Sequence, residues 1–187
     1  RRNEKMEFEG ALAERWEIVS PTVWRFHLRK GVKFHNGNDF KADDVVFSGQ
    51  RINTKGSDMK VIAALIKDIK AVDDYTVDVT TPAPNPILVQ QLEIFYIMDK
   101  QWSEQNKTTE ATSVKGGNEG NYANLHANGT GPFMLKERQP GVKTVLVRNP
   151  NYWGKIPGNV TEGIFTPIAQ DATRVAATGG SQGGGLT

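Results

Sequence analysis

Hydrophobic and polar positions alternate with a period of two in three stretches of the chain. Trp16 and Ile18 alternate with Arg15 and Glu17. After Ser20-Pro21, Trp24, Phe26 and Leu28 alternate with Arg25, His27 and Arg29. This reads as two antiparallel strands joined at a proline turn, with one buried face. Lys67–Val72 and Tyr75–Thr80 predict a second hairpin around Asp73-Asp74. Phe133–Arg138 and Lys143–Arg148 predict a third around Pro140-Gly141.

Between the first two hairpins the period changes. Asn36-Gly37 turns the chain, and Ala42, Val45, Val46, Gly49 and Ile52 then fall on one face of a helix over Ala42–Asn53. Asp43 and Asp44 lie in its first turn, where the helix dipole favours carboxylates. Gly49 costs such a helix about 1 kcal/mol relative to alanine, so a close packing contact is the expected reason for it. Pro82, Pro84 and Pro86 form an extended link, with Pro86 opening a helix to about Leu92. Ile94–Met98 reads as a short buried segment. Ser103–Asn128 is polar and reads as one or two short surface helices with a mobile loop. Asn149–Gly154 is an irregular aromatic turn, Gly163–Ile168 a strand, Asp171–Ala177 the start of a helix, and the glycines beyond it a flexible tail. The fold class is therefore α+β, a mixed, largely antiparallel sheet with hairpins and flanking helices.

Composition narrows the chemistry. With 187 residues, the length fits one domain. Charge is nearly balanced, 23 basic against 21 acidic side chains, with no basic stripe of the kind that phosphate contacts require. No nucleic-acid partner is expected. The chain has no cysteine, which excludes disulfides, thiolate nucleophiles and zinc–thiolate sites. The longest apolar runs, Val61–Ile66 and Ile94–Met98, fall far short of the ~20 residues that span a bilayer.

Candidate groups for chemistry each have a plainer role. His27 and His35 share a strand–turn unit, but no carboxylate stands at a ligand spacing from them, and no metal site is assigned. The one Gly-x-Ser-x-Gly spacing, Gly179–Gly183, falls in the glycine-rich tail rather than between a strand and a helix, so no nucleophile elbow is assigned. Asp43-Asp44 and Asp73-Asp74 read as helix-start and turn residues. Gly129-Thr130-Gly131 lacks the third glycine of a dinucleotide fingerprint and the lysine of a phosphate loop. Trp16 and Trp24 read as core, while Trp102 and Trp153, in irregular segments, read as more open. No catalytic residue and no cofactor are assigned, so the chain is not expected to be an enzyme.

A resemblance supplies what spacing does not. Leu12–Glu17, Trp24-Arg-Phe-His-Leu-Arg-Lys-Gly-Val-Lys-Phe-His-Asn-Gly37 and Phe40-Lys-Ala-Asp-Asp-Val-Val-Phe-Ser48 resemble the signature region of the family 5 extracellular solute-binding proteins. These are the dipeptide, oligopeptide and nickel-binding components of ABC importers. Ile69–Val77, Gly129-Thr-Gly-Pro-Phe133, Arg148-Asn-Pro-Asn-Tyr-Trp-Gly154 and Asp171–Ala177 continue the likeness in order. Two positions depart from it. Lys41 replaces the usual threonine N-cap and cannot accept an N–H bond, a loss that Asp43 and Asp44 are expected to offset. Gly49 stands where an aromatic is common.

The resemblance implies the lobe-one subdomain of a type II periplasmic-binding-protein-like fold over residues 11–168. Residues 1–10 would be a flank and residues 169–187 a truncated helix and tail. Family members are two-lobed clamps much longer than this chain, so it is expected to be a fragment. The implied function is solute capture for an ABC permease, with a peptide or similar small ligand, in a monomer located in the periplasm or outside the cell, a lipid anchor at the cell surface being one arrangement the resemblance allows. Asn128, Gly129, Thr130 and Gly131 are the candidate ligand-binding residues, because their loop joins the subdomain back to its lobe and exposed N–H groups there would meet a ligand carboxylate. A different reading makes the subdomain a protein-interaction module without ligand capture.

Overall fold

The computed structural model describes residues 1–3, 5–113, 117 and 120–168. Its first sheet combines the first two hairpins. Strands β1 (Ala13–Ser20), β2 (Val23–Leu28), β3 (Asp68–Asp73) and β4 (Thr76–Thr80) lie in the order β1-β2-β4-β3, antiparallel throughout. The alternation of β2 is realised side chain by side chain. Trp24, Phe26 and Leu28 are buried, and Phe26 stands opposite Val77. On the outer face Arg25 opposes Asp78 and holds it with two hydrogen bonds of 2.7 and 2.8 Å. The guanidinium accordingly keeps the Asp78 carboxyl below the usual carboxylate range.

Helix α1 (Ala42–Ile52) packs over β3 with Ala42, Val45, Gly49 and Ile52 inward. Lys41 is its N-cap and offers no acceptor. Asp44 compensates, its Oδ2 accepting the Lys41 N–H at 2.8 Å, while Lys41 Nζ reaches across to Asp74 at 2.8 Å. Gly49 has the packing reason expected of it. A Cβ there would lie 2.6 Å from Ile69 Cδ1, closer than carbon atoms approach.

Short elements follow: α2 (Lys60–Ala63), α3 (Leu88–Gln91) running into a 3-10 turn at Leu92–Ile94, α4 (Lys100–Gln105) and α5 (Tyr122–Leu125). The helix expected from Pro86 thus begins at Leu88. A second sheet, β5 (Phe133–Gln139), β6 (Lys143–Arg148) and β7 (Glu162–Phe165), is antiparallel in chain order. Gly141 takes φ +72° in the β5–β6 turn, the left-handed region that glycine tolerates.

Three expectations need correction. Ile94–Met98 is not a buried segment. Ile94 ends the 3-10 turn and is exposed, and in the irregular stretch after it Phe95 and Ile97 pack against the core while Tyr96 faces outward, 74% exposed. Trp102 is not open but 8% exposed, on the inner side of α4 and against Tyr122 with ring centroids 5.8 Å apart. Ile18 stands 58% exposed because β1 is an edge strand whose pattern of burial lapses beyond Trp16. Asp171–Ala177 and the glycine tail lie outside the described residues, as does part of the loop expected within Ser103–Asn128.

The contact at Gly49 gives a measurable coupling. Gly49→Ala gains about 1 kcal/mol of helix propensity but forces Ile69 from its place, and a net loss of about 1 kcal/mol is expected. Ile69→Val removes the clashing methyl, so the double variant should be no less stable than Ile69→Val alone. Urea denaturation of the four proteins decides it, and strict additivity would dismiss the contact.

Candidate functional site

The site is assembled from three separated turns. The first is Lys33–Asp39, which follows β2 and closes through Gly37 N–H to Phe34 O. The second is the start of α4. The third is the loop Asn128–Gly131, which enters the second sheet. Sequence separates them by 63 residues from Asn36 to Asp99, 29 from Asp99 to Asn128 and 94 from His35 to Gly129.

At their meeting point lies Asp99, 1% exposed. Its Oδ1 accepts the Trp102 N–H at 2.9 Å, which caps α4. Its Oδ2 accepts three side-chain amides, from Asn36 at 2.9 Å, Asn38 at 2.8 Å and Asn128 at 3.0 Å. Four N–H donors thus stand in for water and for the cation that a buried carboxylate ordinarily pairs with. Asp44 sits beside this centre and accepts the Lys100 N–H at 2.9 Å. Burial, with the nearby Asp99 and Asp43 charges, raises its pKa above the ordinary carboxylate value against the pull of its two backbone bonds.

The Asn128–Gly131 loop is fastened by its backbone. His35 N–H donates to Gly129 O at 2.8 Å, and Gly129 N–H donates to His35 Nδ1 at 3.2 Å. His35 Nε2 reaches Gly131 O at 3.1 Å. Asn149 Nδ2 also donates to Gly131 O at 3.0 Å, and Trp153 Nε1 donates to Thr130 O at 3.1 Å. The aromatic turn is therefore a brace for the loop. The Trp153 ring is in turn covered by the Arg29 guanidinium, 4.6 Å from its centroid.

The loop borders an apolar cavity of about 940 Å³ between the two sheets. Leu28, Phe95, Met98, Phe133 and Leu146 contribute to its wall, with His35 and Gly129–Gly131 at the same surface. The four predicted residues are thus brought together, but their groups are differently placed than expected. Gly129 N–H is engaged by His35, and both polar ends of Asn128 are taken, Oδ1 by the Asn36 N–H at 3.2 Å and Nδ2 by Asp99. Among the described residues the Thr130 hydroxyl has no hydrogen-bond partner. Sequence reasoning missed His35, Asp99, Asn149 and Trp153 as members of the site. The position of Asp99 three residues before Trp102 was a readable N-cap signal.

His27 is engaged elsewhere, its Nε2 3.0 Å from Glu17 on the outer face of the first sheet. Among the described residues no group of three or more histidine, aspartate or glutamate side chains is gathered that would hold a metal ion.

Comparison with known proteins agrees with this architecture. A family model described as "Bacterial extracellular solute-binding proteins, family 5 Middle" matches residues 7–182. Among solved structures, NikZ from Campylobacter jejuni in complex with Ni(L-His) superposes with a TM-score of 0.80 at 22% identity, covering 97% of this chain and 35% of that one. DppA from Helicobacter pylori in complex with the peptide STSA gives 0.75 at 27% identity, covering 94% and 37%. MoaA from A. tumefacien R10 in complex with mannopinic acid gives 0.76 at 29% identity, covering 93% and 34%. Among curated proteins, the HTH-type transcriptional regulator SgrR of Escherichia coli O6:K15:H31 (strain 536 / UPEC) is 33% identical over 135 residues, 71% of this chain and 21% of its own length. The chain thus spans about a third of these solved structures and about a fifth of the regulator.

The Asp99 centre predicts a stability effect without any ligand. Asp99→Ala leaves the Trp102 N–H and three amides unanswered, and a loss of about 2–4 kcal/mol is expected. Asp43→Asn, at an exposed site of α1, should lose less than about 1 kcal/mol. Equal urea midpoints for the two variants would show that the amides find water at no cost.

Proposed function

We propose that this chain, which belongs to the bacterial extracellular solute-binding proteins of family 5, is the lobe-one part of a binding protein that captures a peptide or similar small solute for an ABC permease. The family and fold are those of binding proteins, and family members are periplasmic or extracellular. In this reading residues 11–168 form the subdomain, residues 1–10 a flank, and the parent acts as a monomer. No covalent step is required of it. The parent would close over its solute by hinge motion and present the closed form to the permease.

The observation that carries the reading is the placement of the Asn128–Gly131 loop on the wall of the apolar cavity, with its backbone already tied down. A binding surface ordered before its ligand arrives does not lose that entropy on capture. The ligand-facing group of the loop is the Thr130 side chain, since Gly129 N–H and the Asn128 amide are engaged within the protein. Likeness to peptide-bound DppA and mannopinic-acid-bound MoaA favours a small organic solute over a bare metal ion.

A second reading rests on the likeness to the HTH-type transcriptional regulator. The same solute-sensing module would then belong to a regulator, and no permease would be its partner. Both readings require solute capture, and cell fractionation separates them: recovery outside the cytoplasmic membrane fits the importer component only.

Thr130→Trp places an indole at the cavity wall without touching the donors that fasten the loop. In the full polypeptide that carries this segment, affinity for a di- and tripeptide panel should fall at least tenfold, about 1.4 kcal/mol. Calorimetric titration checks this, and unchanged affinity removes the loop from the site.

A further inference from the structure

The imidazole of His35 is placed between a group that only donates and a group that only accepts. Gly129 N–H points to Nδ1 at 3.2 Å, and Gly131 C=O receives Nε2 at 3.1 Å. These partners fix the tautomer: Nε2 carries the proton and Nδ1 presents its lone pair. A second proton on Nδ1 would face the Gly129 N–H directly and abolish that bond. We infer that His35 is the positioning residue of the Asn128–Gly131 loop, holding it as the neutral imidazole and releasing the Gly129 N–H on protonation, while the backbone bond from His35 N–H to Gly129 O stays. Its consequence for solute affinity rests on the function proposed above; the latch itself does not.

No charged group counteracts the release. In the same turn Lys33 and Asp39 pair with each other at 2.6 Å. At the start of α4 Asp99 is occupied by amides, and Lys100 Nζ lies 3.4 Å from Asp43. Asp44 on α1 is bonded to the backbone of Lys41 and Lys100. His126, ahead of the loop, stacks on Tyr122. Arg1 and Arg29 lie over Trp153. Arg51 reaches the carbonyls of Thr108 and Glu110, and Glu9 and Glu93 pair with Arg1 and Arg2. Arg138 also borders the cavity.

Burial keeps the His35 pKa below the ordinary histidine value, partly offset by the bond to the Gly131 carbonyl. The unfolded chain therefore takes up a proton first as pH falls. The stability contributed by neutral His35 is complete above about pH 6.5 and is lost as pH descends through the lower folded value.

The experiment needs no ligand. Imidazole nitrogen shifts of His35 and exchange of the Gly129 amide are followed by NMR between pH 7.5 and 4.5 on the unmodified chain. The Nε2–H tautomer is expected at pH 7.5. Protection of the Gly129 amide, corrected for the intrinsic pH dependence of exchange, should then fall at least tenfold in step with the His35 titration. Amide protection that ignores that titration, or the opposite tautomer, overturns the proposal. His35→Asn keeps an acceptor near the Gly129 N–H but cannot titrate, so its protection profile should be flat; a profile like that of the parent chain also overturns it. Retention of a random dipeptide-to-tetrapeptide library at pH 7.5 and 5.0, read by mass spectrometry, then separates the two claims. At least fivefold less retention at pH 5.0 supports the positioning role. Equal retention at both pH values, with the amide opened, overturns it. No retention at either pH, with the amide opened, removes peptide capture and leaves the latch standing.

Discussion

A carboxylate buried without a cation is the constraint on which this end of the molecule is arranged. Asp99 is 1% exposed, and an unpaired charge there would be prohibitive without compensation. Compensation comes from four N–H donors supplied by separate parts of the chain: the Asn36–Asn38 turn, the Asn128 loop and the first turn of α4. None of these elements is long enough to be stable alone. α4 has six residues, well below the 12–15 or so at which isolated helices become marginal. The charge therefore acts as an organising centre: each element satisfies Asp99 only in one position, and in that position the others are fixed as well.

That centre determines what the Asn128–Gly131 loop can do. A loop rich in glycine and open to solvent would be a poor recognition surface, since ordering it would oppose binding. Here its carbonyls are received by His35, Asn149 and Trp153, and Gly129 N–H is held by His35. The same bonds that hold the loop engage most of its backbone within the protein. Among the described residues, the polar group of the loop left without a partner is the Thr130 hydroxyl, at the border of the apolar wall.

The pattern of residues made most of the framework legible. All three hairpins and α1 follow from alternation, turn residues and a helical face, because each is a local arrangement whose burial is written within a few positions. Lys41 was legible as a poor cap and Asp44 as its remedy. Legibility failed where burial is decided by distant partners. Ile94–Met98 is apolar throughout, yet it leaves a 3-10 turn into an irregular stretch that exposes Ile94 and Tyr96 and packs Phe95 and Ile97. Trp102 looked open because its segment is polar, while the Asp99 cap turns it inward. The loop itself was visible from the family motif, but its clasp by a histidine 94 positions earlier was not, since no local signal couples His35 to Gly129.

The two sheets also differ in how completely they are covered. The first sheet carries α1 on one face, with Phe26, Val77 and Val79 deeply buried. On the second, Ile164 and Phe165 of the edge strand β7 are 62% and 63% exposed. Ile164 stands opposite the buried Val145, and Phe165 opposite Thr144, which borders the cavity. Successive residues of a strand point to opposite faces, so the two exposed side chains lie on different faces of this sheet edge rather than in one patch. Burial lapses at β7 for the same reason as at β1: each is an edge strand with a hydrogen-bonded neighbour on one side only.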